Sequence, residues 1–336
     1  MKHAAMLGTG ILAGLAFTRF VRSSSAFSLD GKTVLITGGS RGLGLLLASE
    51  FASRGARVAI SARDPEELQR AAEKLRTITD EVFTVEADHA LQEEAELAVE
   101  RVWSQFGRID VLVNNAGKMT VGPLETMTID DFRDSLNVHF WGSYFTTMAV
   151  LPRMRQGQGG RIVNISSIGG KISVPHLVPY SVGKFALTGF SEGLRAELKK
   201  DNIMVTTVCP GLMRTGSARN ASFKGNNEAE YAWFSASASL PGLSIPATDA
   251  ARAIVEACRR GQAEVVLSLP AKVAALLHGV MPGATADLLG LANRVLPGPG
   301  GIGRQARTGA KSSANVPSNW VTKLSDQAAA ENNEVA

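Results

Sequence analysis

Cysteine is nearly absent: Cys209 and Cys258 are the two in 336 residues. They leave no basis for a disulfide framework, and no Cys/His spacing matches a metal-ligand motif. Cys209 ends an apolar run and Cys258 lies in a helical pattern, so both read as buried reduced thiols of a cytosol-facing domain. The five histidines are dispersed, and no metal site is expected. The formal charge is a mild +4, without a Lys/Arg run or interleaved aromatics. That excludes the basic footprint of a nucleic-acid binder. No internal repeat is visible. What is present is 45% apolar residues in a chain long enough to bury the core of one large α/β domain.

Residues 1–28 stand apart. Positions 4–21 are apolar except for Arg19 and two threonines. A membrane-spanning helix needs roughly 20 residues, so this stretch is at the short end. An anchor, a secretory signal and an extra helix on the domain compete; Ser25-Ala26 is a weak cleavage site. The anchor is the favoured expectation. Lys2 before the stretch, against Arg19 near its end and Arg22 and Lys32 after it, orients the following domain toward the cytoplasm. A soluble cytoplasmic protein is the alternative.

From Lys32 onward, apolar β-branched runs alternate with helical patterns. The runs are 33–37, 57–61, 82–85, 110–114, 161–165, 204–208 and 264–268. They are continuously apolar rather than alternating, as in strands covered on both faces of a parallel sheet. Helices are expected over 64–77 and 91–106, the first opened by Asp64-Pro65 as cap and first turn. The pattern predicts a doubly wound parallel sheet of about seven strands in a single domain, residues 29–270. Residues 271–297 read as an apolar helical hairpin around Pro282-Gly283, packed on the domain. Residues 298–336 open with a breaker cluster and are polar, so loose structure is expected there.

The first strand runs into Thr37-Gly38-Gly39-Ser40-Arg41-Gly42-Leu43-Gly44 and then a helical stretch. Strand, glycine turn and helix N-terminus together make an anion site, because backbone N–H groups and the helix dipole face the ligand. A glycine turn alone is weak; its place between a buried strand and a helix gives it weight.

This T-G-x-x-x-G-x-G spacing resembles the short-chain dehydrogenase/reductase family. Three further motifs agree, in the family's order over about residues 30–270. Asn114-Asn115-Ala116-Gly117 matches N-N-A-G, Tyr180-Ser181-Val182-Gly183-Lys184 matches Y-x-x-x-K, and Pro210-Gly211 with Thr215 matches the cofactor-closing segment. The resemblance implies a Rossmann-type fold and a nicotinamide cofactor. Thr37, Gly38, Ser40, Arg41, Gly42, Leu43 and Gly44 would cradle its pyrophosphate. Asp88 would meet the adenine edge, and Asn114, Ala116 and Gly117 would line the adenosine side. At the end of the second strand Ala62 stands where NAD-preferring members carry an acid, and Arg63 follows. Arg41 and Arg63 would favour the 2′-phosphate of NADP(H) by charge and bidentate geometry.

Tyr180 and Lys184 lie one helical turn apart. The resemblance makes Tyr180 the proton-transfer group. Lys184 would lower its pKa and bind the nicotinamide ribose. Ser167 would hydrogen-bond the substrate oxygen, with Ser166 as adjacent rival. Asn137 would hold a water chain leading from Lys184, and His139 reads as a packed helix residue. Hydride transfer between NADP(H) and a carbonyl or secondary alcohol follows. The apolar N-terminus and the aromatics Tyr231, Trp233 and Phe234 in a lid over 213–246 point toward a lipophilic substrate, with the lid's own packing core as the other reading of those aromatics. A non-catalytic NADPH-binding scaffold or redox-sensing module at a membrane is the rival reading. A homodimer or tetramer, built through helices near Asn137 and Tyr180, is also implied.

Overall fold

A computed structural model describes residues 26–313 and 323–334. In its first half, strands β1 (Thr33–Thr37), β2 (Arg57–Ala62), β3 (Val82–Glu86) and β4 (Val111–Asn114) alternate with helices α1 (Gly42–Ala52), α2 (Pro65–Arg76) and α3 (Gln92–Phe106). A two-residue strand β5 (Thr120–Val121), α4 (Ile129–Leu136) and a π turn (Asn137–Trp141) lead into α5 (Gly142–Gln156) and β6 (Gly160–Ile165). Then come α6 (Val178–Leu198), β7 (Ile203–Pro210), β8 (Leu212–Arg214), α7 (Ser217–Asn220), β9 (Ser222–Phe223) and α8 (Asn227–Ser239). Strand β10 (Ser244–Pro246), α9 (Ala247–Arg259) and β11 (Glu264–Leu267) precede a hairpin of α10 (Leu269–Val280) and α11 (Pro282–Asn293). Last are β12 (Arg307–Thr308), α12 (Gly309–Ser312) and α13 (Lys323–Glu331).

Seven strands form one sheet in the order β11-β7-β6-β4-β1-β2-β3, every neighbouring pair parallel. The continuous apolar runs have their physical reason here. Leu35, Ala59, Leu112, Ile162 and Val205 point into one core with α3 and α5, while Ile36, Ile60, Val113, Val163 and Val208 point into the other with α1, α2 and α9. Every residue of β1 and β4 is buried. Helix α2 starts where its cap predicts: the Asp64 carboxylate accepts from the Glu67 N–H at 2.9 Å, and Pro65 fills the first turn. Helix α3 stops at Gly107, which takes a φ of 69°. Strand order reverses between β1 and β4, and at such a switch point a crevice opens beyond the strands' carboxyl ends.

Two small additional sheets, β8 with β10 and β5 with β9 and β12, build a cap over that edge. Their strands are two or three residues long, too short to leave a periodic signal. The hairpin is present, but α10 buries only Ala271 and α11 buries nothing. Its packing on the domain is thus confined to one end, leaving Leu269, Leu276, Val280, Leu288 and Leu291 exposed. Residues 298–313 and 323–334 also differ from the expected loose structure. Strand β12 pairs antiparallel with β9, and α13 lies against the domain with Ala329, Asn332 and Asn333 buried. Its order comes from tertiary hydrogen bonds rather than from an apolar stripe. The expected N-terminal anchor lies outside the described residues; among those described, no helix is long and apolar enough to cross a membrane.

Candidate active site

A cavity of about 1380 Å³ opens at the switch point. The glycine turn forms one wall. Gly38 has a φ of 63°, and a Cβ there would lie 2.8 Å from Ala116 Cα. At Gly44 a Cβ would sit 2.0 Å from the Gly38 carbonyl oxygen, so no side chain fits. Thr37 Oγ1 accepts from the N–H groups of Asn115 at 3.0 Å and Ala116 at 3.1 Å, tying the turn after β1 to the one after β4. Helix α1 opens on an extended Arg41 without a side-chain cap, so its first N–H groups face the cavity mouth. Such a cradle fits the pyrophosphate of a dinucleotide.

Gly38, Ser40, Arg41, Gly42, Leu43 and Gly44 line the cavity, as do Arg63, Asp88, Ala116, Gly117, Ser167, Tyr180, Lys184, Pro210, Gly211 and Thr215. Three expected site residues do not. Thr37 is buried behind the turn it pins. Asn114 is turned into the core, where its Nδ2 donates to Asn164 Oδ1 at 2.8 Å and its Oδ1 accepts from Thr146 Oγ1 at 2.7 Å. The neighbouring Asn115 lines the cavity instead and donates to the carbonyls of Thr37 and Gly38. Asn137 is exposed and outside the cavity.

At the adenosine end the guanidinium of Arg41 bonds Glu67 at 2.7 Å, and Ser40 Oγ donates to the other Glu67 oxygen at 3.0 Å. Arg63 is 69% exposed and 3.5 Å from Asp88. Both guanidiniums are therefore at the mouth, held by carboxylates at the surface.

At the other end Ser167 leaves β6 with its Oγ accepting from the Gly169 N–H at 3.0 Å and hydrogen-bonded to Tyr180. The rival Ser166 is committed elsewhere: its Oγ bonds the Lys184 carbonyl and Thr188 Oγ1, fastening α6 to β6. Lys184 Nζ donates to the Ile165 carbonyl at 2.8 Å and lies 5.7 Å from the Tyr180 ring centroid. Burial pulls the Lys184 pKa down to about 7. Burial also pushes Tyr180 up to about 12, against the opposing Ser167 hydrogen bond. Desolvation thus outweighs the Ser167 hydrogen bond at Tyr180, and it likewise discourages the charge on Lys184.

His139, expected from the sequence to be a packed helix residue, is packed and also lines the cavity. The π turn carries it inward, edge-on to Tyr180 at a ring separation of 5.3 Å. Its Nε2 donates to the Lys118 carbonyl at 2.8 Å, an assignment that follows because a carbonyl only accepts. Nδ1 is then a lone pair, buried without a hydrogen-bond partner among the described residues. Burial first, then the Lys184 charge, holds its pKa well below the usual value, so the ring is neutral. The signal available was a histidine in an otherwise apolar helix; the extra residue per turn that aims it inward is invisible to 3.6-residue spacing.

A parallel sheet reversing at a glycine cradle, with Ser167, Tyr180 and Lys184 across the crevice, defines a dinucleotide-binding α/β protein of the Rossmann type. Residues 32–225 match the sequence profile described as short chain dehydrogenase. Dehydrogenase/reductase SDR family protein 7-like of Anopheles gambiae is 38% identical over 257 residues, 75% of this chain and 79% of that one. 11-beta-hydroxysteroid dehydrogenase 1A of Arabidopsis thaliana is 38% identical over 218 residues, covering 63% and 62%. A short-chain dehydrogenase from Streptomyces avermitilis superposes with a TM-score of 0.67 at 31% identity, covering 79% of this chain and 97% of that one. L-sorbose reductase from Gluconobacter frateurii, solved with NADPH and L-sorbose, superposes with a TM-score of 0.64 at 28% identity, covering 71% and 95%. The chain belongs to the short-chain dehydrogenase/reductase family, a family of oxidoreductases.

Proposed function

We propose that this protein is an NADP(H)-dependent oxidoreductase acting on a lipophilic carbonyl or secondary alcohol. The observation that carries it is the convergence of Ser167, Tyr180 and Lys184 on one cavity with the glycine cradle. When bound, the nicotinamide supplies or accepts the hydride. Tyr180 donates its proton to the substrate oxygen in reduction and removes it in oxidation. A phenol pushed up to about 12 is fully protonated at neutral pH and poised as the acid. Ser167 donates a hydrogen bond to the same oxygen and stabilises charge developing there. Lys184, one turn along α6, reaches the side of the cavity that would hold the nicotinamide ribose. We assign to His139, rather than Asn137, the fourth place in this group. Its Nδ1 lone pair is buried without a partner among the described residues and lies within reach of the Lys184 charge.

Preference for NADP(H) rests on Arg41 and Arg63 at the mouth and on Ala62 in place of an acid. An apolar substrate is supported by Val174, Leu177, Met213, Trp233, Phe234 and Leu243, which wall the far end of the cavity. The SDR relatives named for steroid chemistry are consistent with that choice.

The test is NADPH oxidation with a panel of lipophilic ketones. Tyr180→Phe should lower kcat by about 10²–10⁴-fold with NADPH affinity kept. His139→Ala should lower kcat while leaving KM nearly unchanged. Full activity in Tyr180→Phe overturns the assignment.

A further inference from the structure

The last described residues do something the family fold does not require. Helix α13 delivers residues 332–334 onto the glycine cradle. The Asn332 carbonyl accepts from the Gly42 N–H at 2.9 Å, one of the uncapped donors of α1. Asn333 Nδ2 donates to the carbonyls of Ser40 at 2.9 Å and Glu67 at 3.1 Å, and its Oδ1 accepts from Arg70 Nε at 3.1 Å. Lys74 Nζ donates to the Glu331 carbonyl at 3.0 Å. The Glu334 side chain then enters the cavity itself. Its carboxylate accepts from the Gly216 N–H at 2.5 Å and from Asn220 Nδ2 at 3.5 Å. Across the groove a Cβ on Gly42 would lie 3.2 Å from Glu334 Oε1.

We infer that residues 332–334 occupy the phosphate subsite of the cofactor crevice and compete with the dinucleotide for it. This rests on the cofactor reading above. The chemistry of the two occupants is alike: an acceptor oxygen on the Gly42 N–H at the start of α1, and beside it a carboxyl group in the cavity that would receive the phosphates. They exclude each other by volume at Gly42 and by charge. The Glu334 carboxyl is pushed up to about 7 by burial, against the opposing Gly216 hydrogen bond and the Arg41 charge. The contact is therefore built from polar groups whose loss the incoming phosphates can replace, which suits a reversible latch. Its consequence is a closed resting enzyme in which cofactor binding is coupled to release of the C-terminus.

The experiment compares NADPH affinity, by tryptophan-fluorescence titration, for the full chain and for a chain ending at Glu331. A full-chain variant carrying Asn333→Ala and Glu334→Ala guards against a folding defect of the shortened one. A latch closed in nine molecules of ten makes the opened protein about tenfold tighter for NADPH. In the full chain, addition of NADPH should raise deuterium uptake over 323–334. Equal or weaker binding by both altered chains, or uptake over 323–334 unchanged by bound NADPH, overturns the proposal. Binding of NADPH by none of the three proteins overturns it together with the cofactor reading.

Discussion

Lys184 carries an ammonium into a buried cleft, and the cost of doing so sets a pH dependence. Its pKa is pulled down to about 7 by burial, against about 10.4 in an unfolded chain. Below pH 7 the folded protein holds the charge and bears the whole cost. Between pH 7 and 10 the unfolded chain binds the extra proton, so stability rises with pH. Lys184→Met removes this dependence. From pH 7 to 9 the native chain should gain about 2–3 kcal/mol relative to Lys184→Met, read by urea unfolding. A gap that does not change with pH would show that the ammonium is solvated in the folded state. At this scale the residues whose spacing within one strand end and one helix is local, Ser167, Tyr180 and Lys184, are the ones the fold brings together in the cavity. Asn114 and Asn137 do not line that cavity. Neighbouring residues Asn114 and Asn115 face opposite ways, and which of them reaches the cavity depends on the buried Thr146, Thr147 and Asn164 partners supplied by distant elements.

Among the elements, β1, the glycine turn and α1 work as a unit. Their legibility came from local chemistry: a continuous apolar run, then glycines where no Cβ fits. Gly44→Ala tests it. The added methyl meets the Gly38 carbonyl oxygen at 2.0 Å, and because that oxygen belongs to the backbone the clash cannot be relieved by a side-chain rotation. The turn must open, so the melting temperature falls and cofactor binding is lost together, as followed by circular dichroism and titration. An alanine variant with unchanged affinity would mean the turn is not the phosphate cradle. The π turn was not legible, because nothing in the residues at Asn137–Trp141 distinguishes one extra residue per turn from an ordinary helix. The same holds for β5, β9 and β12, which exist only as partners of one another.

For the whole molecule, the parallel sheet was readable because its five inner strands are covered on both faces, and its order places the crevice at the β1–β4 reversal. The apolar hairpin of α10 and α11 was readable as helix, but its exposure was not, since periodicity does not say whether an apolar face finds a partner. The order of residues 323–334 was not legible for a related reason. This segment lacks an apolar stripe and is held instead by hydrogen bonds to Ser40, Gly42, Glu67 and Arg70 from the other end of the chain.

The central claim is a nicotinamide site selective for the 2′-phosphate, and direct titration of NADPH and NADH against the chain ending at Glu331 tests it without interference from the C-terminus. NADPH should bind at least about tenfold more tightly than NADH, a difference of roughly 1.4 kcal/mol that two surface guanidiniums readily supply. The preference should collapse in the Arg41→Ala, Arg63→Ala double variant. Equal affinity for the two cofactors would contradict the assignment of Arg41 and Arg63, and binding of neither by the folded protein would contradict the oxidoreductase reading itself.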